Sequence, residues 1–324
     1  MSPRVLVLRA LGLGDFLTGV PALRALRRAL PGHELVLAAP AALAPLAELS
    51  GAVDELVPAG ELQPVPWQGP PPEVAVDLHG KGPTSLRLLE ALAPRRLVGF
   101  ARPGAPRWRA GEQERERWCR LVREELETWA APDDVLLARP ATPSRAPGAV
   151  VVHPGAGSQS RRWPVGRFAE VAQWARVRGE RVVVTGTAGE SRLVHEVVRL
   201  AGLPTSAARA GVDHLGSLAA LVADAGLVVV GDTGVAHLAS AFATPSVVLF
   251  GPVPPTEWGP PAAGPHTVLW HDAGRGDPHG SVTDAALLDV EVEEVVMAAA
   301  ARLNAGRPPR RPEVEVSPAA GRST

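Results

Sequence analysis

Three segments carry residue types that can handle an anion and a proton. Gly12-Leu13-Gly14-Asp15 follows the apolar run Val5-Leu6-Val7-Leu8, and a strand that turns through glycines into a helix is a common phosphate seat. An acid there repels phosphate, so Asp15 has two readings. It caps the helix that begins near Phe16, or it stands at a cleft mouth and takes a proton from a hydroxyl. A dinucleotide fingerprint would need glycine at position 17, where Leu17 stands, and a P-loop would need a lysine–hydroxyl pair that this loop lacks.

The second segment runs from His153 to Pro164. Gly155 and Gly157 permit close backbone approach, Ser158, Gln159 and Ser160 add donors, and Arg161 and Arg162 add positive charge. Trp163-Pro164 then starts a helix, so the segment reads as an anion site ahead of a solvated basic turn. In the third, Asp232 or Thr233 suits a helix cap, Gly234 leaves the first amides open, and His237 lies one turn along. Two such helix starts can hold a diphosphate together, although His237 taken alone reads as a core histidine ahead of a functional group. Glu190, just after Thr185-Gly186-Thr187-Ala188-Gly189, is a first-turn acid or a ribose contact. His271, Asp272, Asp277 and His279 share a loop, but their spacing fits no metal motif and a flexible polar loop is expected. No Asp-x-Asp pair occurs.

The elements that must position these groups alternate between short β-rich runs and helical stretches. In the first half, strands are expected around 4–9, 33–40, 52–59, 73–80 and 95–100. Helices are expected at 16–30, 41–51, 84–92 and 112–129. Ala130–Gly148, rich in Pro and Ala, reads as an interdomain linker. The alternation restarts with strands near 149–153, 180–186, 227–231 and 245–251 and ends in a helix near 287–303. Apolar strands without strict alternation argue for a parallel sheet covered on both faces. The expected architecture is α/β, with two doubly wound domains at 1–145 and 146–303 and a disordered tail over 304–324. In such sheets ligands lie beyond the carboxyl ends of the strands, where the three segments fall.

Composition narrows the field. The 324 residues are 46% hydrophobic and 21% charged, and 33 basic against 34 acidic side chains give no electrostatic footprint for nucleic acid. Cys119 is the single cysteine and Lys81 the single lysine, so neither a disulfide nor a multi-thiolate zinc site can form within the chain. No apolar run reaches the ~18 residues of a membrane span, and no secretory signal is read at the start. A cytoplasmic protein is expected. Arg24, Arg27 and Arg28, with Arg102, Arg107, Arg109 and Trp108, read either as solvated surface or as a peripheral contact with the inner face of a membrane.

Together, Gly12-Leu13-Gly14-Asp15, the run His153-Pro154-Gly155-Ala156 leading to Arg161-Arg162-Trp163-Pro164, and the stretch from Gly231 to Pro255 resemble the ADP-heptose:lipopolysaccharide heptosyltransferases of glycosyltransferase family 9. The likeness spans roughly residues 4–300. It implies the GT-B fold, in which two Rossmann-like domains face each other across a cleft, the first binding the acceptor and the second the nucleotide sugar. It further implies an inverting, metal-independent transferase acting in lipopolysaccharide core biosynthesis. ADP-heptose would be its donor, a glycolipid or glycan its acceptor, and no cofactor or metal would be used. By the same resemblance Asp15 is the general base, Asp232 contacts the sugar, and the Thr233 and Gly234 amides hold the diphosphate. Glu190 would lie on the ribose, with Ser217 and Leu218 near the nucleobase. Arg161-Arg162 stands where the family tends to carry a lysine, an exchange that keeps phosphate binding but changes its geometry. The rival expectations are a catalytically idle nucleotide-sugar-binding protein and a GT-B-like sugar-nucleotide epimerase.

Overall fold

The computed structural model describes residues 2–211 and 214–305. In the first half, β1 (Arg4–Leu8), α1 (Leu13–Ala29), β2 (Glu34–Ala39), α2 (Ala44–Ser50) and β3 (Glu55–Pro58) are followed by β4 (Val74–Asp77), α3 (Thr84–Glu90), β5 (Arg96–Val98) and α4 (Glu114–Leu126). Its sheet is parallel, in the order β3-β2-β1-β4-β5. The second half comprises β6 (Val150–His153), α5 (Val165–Val177), β7 (Val182–Gly186), α6 (Ser191–Leu200), β8 (Ala208–Ala210), α7 (Leu215–Ala223) and β9 (Leu227–Gly231). It continues with α8 (Gly234–Ala241), β10 (Ser246–Leu249), α9 (Pro255–Trp258), β11 (His266–Leu269), α10 (Ala285–Leu288) and α11 (Val292–Ala305). Its parallel sheet runs β11-β10-β9-β6-β7-β8.

Each sheet is buried on both faces, which is why its strands read as continuous apolar runs. Val5 and Val7 point into one cluster and Leu6 and Leu8 into another, following the two-residue period of a strand. The first of these clusters continues into the other lobe through Val151, Val183 and Val228 on the inward face of the second sheet. A separate cluster under α5, α6 and α11 closes that sheet's outer face. The two lobes are therefore joined by packing as well as by the connecting chain. Across the join, the Leu137 amide donates to the Ala241 carbonyl (2.8 Å) and Arg115 Nη1 to the Gly259 carbonyl (2.7 Å).

Several details differ from the sequence expectation. The first helix begins at Leu13, with Gly12 as its cap residue, so Asp15 lies within the first turn and does not cap it. Strands β8 and β11 were not expected; the first is three residues of Ala208-Arg209-Ala210. The closing helix extends through Ala305, two residues beyond the expected boundary, and the rest of the expected tail, 306–324, lies outside the described residues. No helix among the described residues is long and apolar enough to cross a membrane.

Trp163 shows how one anion-loop residue also holds the second lobe together. It is 1% exposed, sets its ring edge-on to Phe168 with centroids 5.1 Å apart, and donates Nε1–H to the Val290 carbonyl at 3.0 Å. Trp163→Ala should cost about 3–5 kcal/mol through the cavity and the orphaned carbonyl. Urea denaturation checks this, and a loss below about 1 kcal/mol would contradict it.

Candidate active site

The carboxyl ends of β1 and β9 launch α1 and α8, and the starts of those helices meet across the cleft. A Cβ at Gly234 would lie 2.8 Å from Leu13 Cβ and 3.0 Å from the Gly14 amide nitrogen. One at Gly14 would lie 3.1 Å from the His237 ring. At Gly234 a side chain would collide with Leu13, and at Gly14 one would crowd the His237 ring, so the two helix starts pack closely here. Beside this contact opens a cavity of about 400 Å³, lined by Asp15, Gly157, Arg161, Asp232, Thr233, Gly234 and His237, with Trp258, Pro278 and His279 on its wall.

The groups on its wall have opposed electrostatics. Burial raises the pKa of Asp15 above that of an ordinary aspartate, and Glu114 adds to the rise. Arg9 and the backbone amides of Gly12 and Asp15 act against it. Facing it, Thr233 Oγ1 caps α8 by accepting the Val235 amide (3.3 Å), and the helix start directs its positive end into the cavity. Arg161 Nη1 lies 3.5 Å from the Asp232 carbonyl oxygen. Burial lifts the Asp232 carboxyl to about 6, against the pull of Arg161. His237 is held neutral, its pKa lowered to about 3 by burial and by Arg115 and Arg9, and its ring packs edge-on to Trp258 with centroids 5.9 Å apart. The Asp15 carboxyl of one lobe therefore shares a cavity with Arg161 and the start of α8 on the other.

Other expected site residues point elsewhere. Gly155 is buried against Glu190, whose carboxylate occupies the space a Cβ would need. Glu190 accepts from the Thr187 amide (2.8 Å) and hydroxyl (2.9 Å) in a capping box, which commits one of its oxygens. Arg162 turns back to the Ala156 carbonyl (3.0 and 2.8 Å) and does not line the cavity, leaving Arg161 as the arginine that does. Ser158 Oγ donates to the Pro278 carbonyl. Ser217 lines a separate groove of about 580 Å³ between α2, α7 and the connecting segment. There His214 engages both its amide (3.3 Å) and its hydroxyl (3.2 Å). Leu218 is half-buried and packs against the core.

The loop expected to be a free polar segment is instead stitched onto the anion loop. Ser160 N donates to the Gly280 carbonyl (3.1 Å), Asp284 N to the Ser160 carbonyl (3.1 Å) and Thr283 Oγ1 to the Arg162 carbonyl (3.2 Å). That strap brings His279 to the cavity, a placement no local motif announces. Asp272 and Asp277 accept amides two residues ahead, at Gly274 and His279, and His271 pairs with Glu294 at 3.0 Å. Among the described residues no group of His, Cys, Asp and Glu is arranged to hold a metal. The basic face of α1 is likewise committed: Arg24 and Arg28 pair with Asp134 and Arg27 with Asp54. Trp108 stacks on Arg117 and against Phe100 and Trp118, so it is part of an aromatic cluster.

Comparison with known proteins agrees with this architecture. The model of glycosyltransferase family 9 (heptosyltransferase) matches residues 117–277. The fold is similar to Escherichia coli ADP-heptose lps heptosyltransferase II, with a TM-score of 0.73, 22% identity and coverage of 93% of this chain and 99% of that one. It is also similar to a family 9 glycosyl transferase from Veillonella parvula, with a TM-score of 0.76, 20% identity and coverage of 94% and 98%. Escherichia coli heptosyltransferase WaaC with ADP gives 0.71, 17%, and coverage of 92% and 99%. No curated protein sequence matches. The two-lobed α/β architecture is thus that of the GT-B heptosyltransferase structures.

Asp232 offers a test of the site's burial. Its folded pKa of about 6 lies above the 3.8 of a free aspartate, so the protonated form stabilises the fold at acid pH. That contribution is complete below 3.8 and is lost as pH rises through about 6. Asp232→Asn, uncharged throughout, should be more stable than the native chain at pH 8 by on the order of 3 kcal/mol and close to it at about pH 4. Denaturant titrations at the two pH values check this, and a variant less stable at pH 8 would contradict it.

Proposed function

We propose that this chain, whose residues 117–277 match the model of glycosyltransferase family 9 (heptosyltransferase), transfers a sugar from a nucleoside diphosphate to a hydroxyl of a glycolipid or glycan, with inversion and without a metal. ADP-heptose is the donor proposed, since similar folds include an ADP-heptose lps heptosyltransferase and a heptosyltransferase solved with ADP. Residues 1–145 bind the acceptor and 146–303 the donor. The observation that carries the reading is the single cavity in which Asp15 of one lobe meets Arg161, Thr233 and Gly234 of the other.

The chemistry follows from that pairing. A hydroxyl is too weak an acid to ionise unaided near neutral pH. Asp15 therefore accepts its proton as the oxygen attacks the anomeric carbon, a form of assistance typically worth ~10²–10⁴-fold. The new carbon–oxygen bond forms on the face opposite the departing diphosphate, whose own bond to the sugar breaks in the same displacement. Negative charge gathers on the diphosphate, and the amides that start α8, with Arg161, meet it without reorganising. Asp232 sits where it can order the sugar. The nucleoside then runs along the carboxyl ends of β6 and β7 toward Glu190, of whose carboxylate the capping box takes Oε2.

Two substitutions separate the halves of this mechanism. Asp15→Asn should lower turnover by about 10²-fold or more while donor affinity stays within about twofold of native. Turnover close to native would remove the base. Arg161→Ala should weaken donor binding about tenfold or more, since a charged hydrogen bond to phosphate is lost. Calorimetry showing native affinity would remove Arg161 from the diphosphate site.

A further inference from the structure

Beneath Asp15 lies a charged cluster that packing alone does not require. Arg9, the residue after β1, is fully buried. Its Nε donates to the Asp15 carbonyl and its Nη1 to the Leu78 carbonyl beyond β4. Its Nη2 donates to Thr18 Oγ1 (3.0 Å) and to Glu114 Oε1 (3.4 Å), and the guanidinium lies over the Trp118 ring at 4.9 Å. Thr18 in turn donates its hydroxyl to the Asp15 carbonyl (2.9 Å). Glu114, on the first turn of α4, is 6% exposed and also accepts from Trp118 Nε1 (2.6 Å) and from Arg117. Glycine at position 19 is what lets the arginine pass, since a Cβ there would lie 2.7 Å from Arg9 Cδ.

We propose that Arg9 and Glu114 are positioning residues, a buried pair that fixes the first turn of α1 and thereby the place of the Asp15 carboxylate. The proposal rests on the reading of Asp15 as base. A buried ion pair is an expensive way to fill space, because desolvation of both charges offsets most of their attraction and apolar residues would pack as well. Here the pair stands at the switch point of the first sheet, between β1 and β4. Arg9 ties the carbonyl of the base itself to α4 and to the end of β4. Arginine suits the task because its planar fork reaches several acceptors in fixed directions, which a lysine could not reproduce.

The same arrangement gives the pair an electrostatic signature. The charged and titratable groups around Asp15 are Arg9 after β1 and Glu114 on α4, with Arg161, Asp232, His237 and His279 on the facing wall. Of the two groups on its own lobe, Arg9 favours the carboxylate and Glu114 opposes it. Neutralising one or the other must therefore move ionisation of the base in opposite directions. A side chain that only filled space would give no such pair of signs.

The test measures kcat/KM against pH for the native chain, Arg9→Met, Arg9→Lys and Glu114→Gln, each checked for folding by circular dichroism. Because the base must be ionised to work, the acid limb should move up by about one pH unit in Arg9→Met and down in Glu114→Gln. Arg9→Lys should keep the limb near native while kcat falls and donor KM holds, because the charge remains but the fork is gone. If Arg9→Met does not fold, Glu114→Gln alone decides the matter. Limbs that stay in place, or that move in the same direction, overturn the proposal. Hydrogen exchange at the Phe16 and Leu17 amides supplies a readout independent of catalysis. Faster exchange in the folded Arg9 variants supports the clamp even if Asp15→Asn turns out active and the base assignment fails, and unchanged exchange overturns it.

Discussion

The structure depends on one close approach, where the first turn of α8 packs directly against Leu13 and Gly14 in the first turn of α1. Gly14 and Gly234 make that contact possible, and a methyl group at Gly234 would strike Leu13. Everything proposed for the site follows from the proximity it creates. The start of α8 carries the positive end of its dipole, and the start of α1 carries an acid. With the lobes further apart, the two would serve separate ligands. Held together, they line one cavity.

Burial makes that proximity useful and also costly. It raises the carboxyls of Asp15 and Asp232, and that of Asp77 as well, the last to about 6 despite hydrogen bonds from Ser85 Oγ and the His79 amide. Arg9 and Arg161 offset part of this, one from beneath the amino-terminal lobe and one from the anion loop. His237 remains neutral near physiological pH, so it brings no charge to the cavity wall. The loop from Asp277 to Asp284 is bonded along its length to the residues around Arg161, so the anion wall is supported from behind.

Much of this was legible in the sequence for a physical reason. Strands buried on both faces must be apolar throughout, so β1, β6, β7, β9 and β10 announce themselves, and the post-strand glycines mark the loops between them. Strands β8 and β11 hid because they lie at sheet edges, where Arg209 and His266 interrupt the apolar pattern. The start of α1 was misplaced by three residues because glycines at 12 and 14 suggest a loop. Of the two, Gly14 faces the other lobe, where a Cβ would crowd the His237 ring, while Gly12 is the cap residue of the helix. The roles of Gly155 and Arg162 could not be read from type and spacing, because both are decided by a neighbour distant in sequence or by a backward turn onto a local carbonyl. His279 and Trp258 reach the cavity through long-range docking that no local periodicity encodes. The partners of Arg24, Arg27 and Arg28 were invisible for the same reason, so a helix face that reads as free positive charge is paired, its three arginines sharing Asp134 and Asp54.

The central claim is that one cavity holds both the leaving diphosphate and the base that activates the nucleophile. A crystal structure with a non-transferable fluorinated analogue of a nucleoside diphosphate sugar tests this most directly. The account predicts the diphosphate oxygens on the Thr233 and Gly234 amides and on Arg161, with the anomeric carbon turned toward the Asp15 carboxylate and room between them for one hydroxyl. A diphosphate bound away from α8, or an anomeric carbon facing away from Asp15, would contradict it.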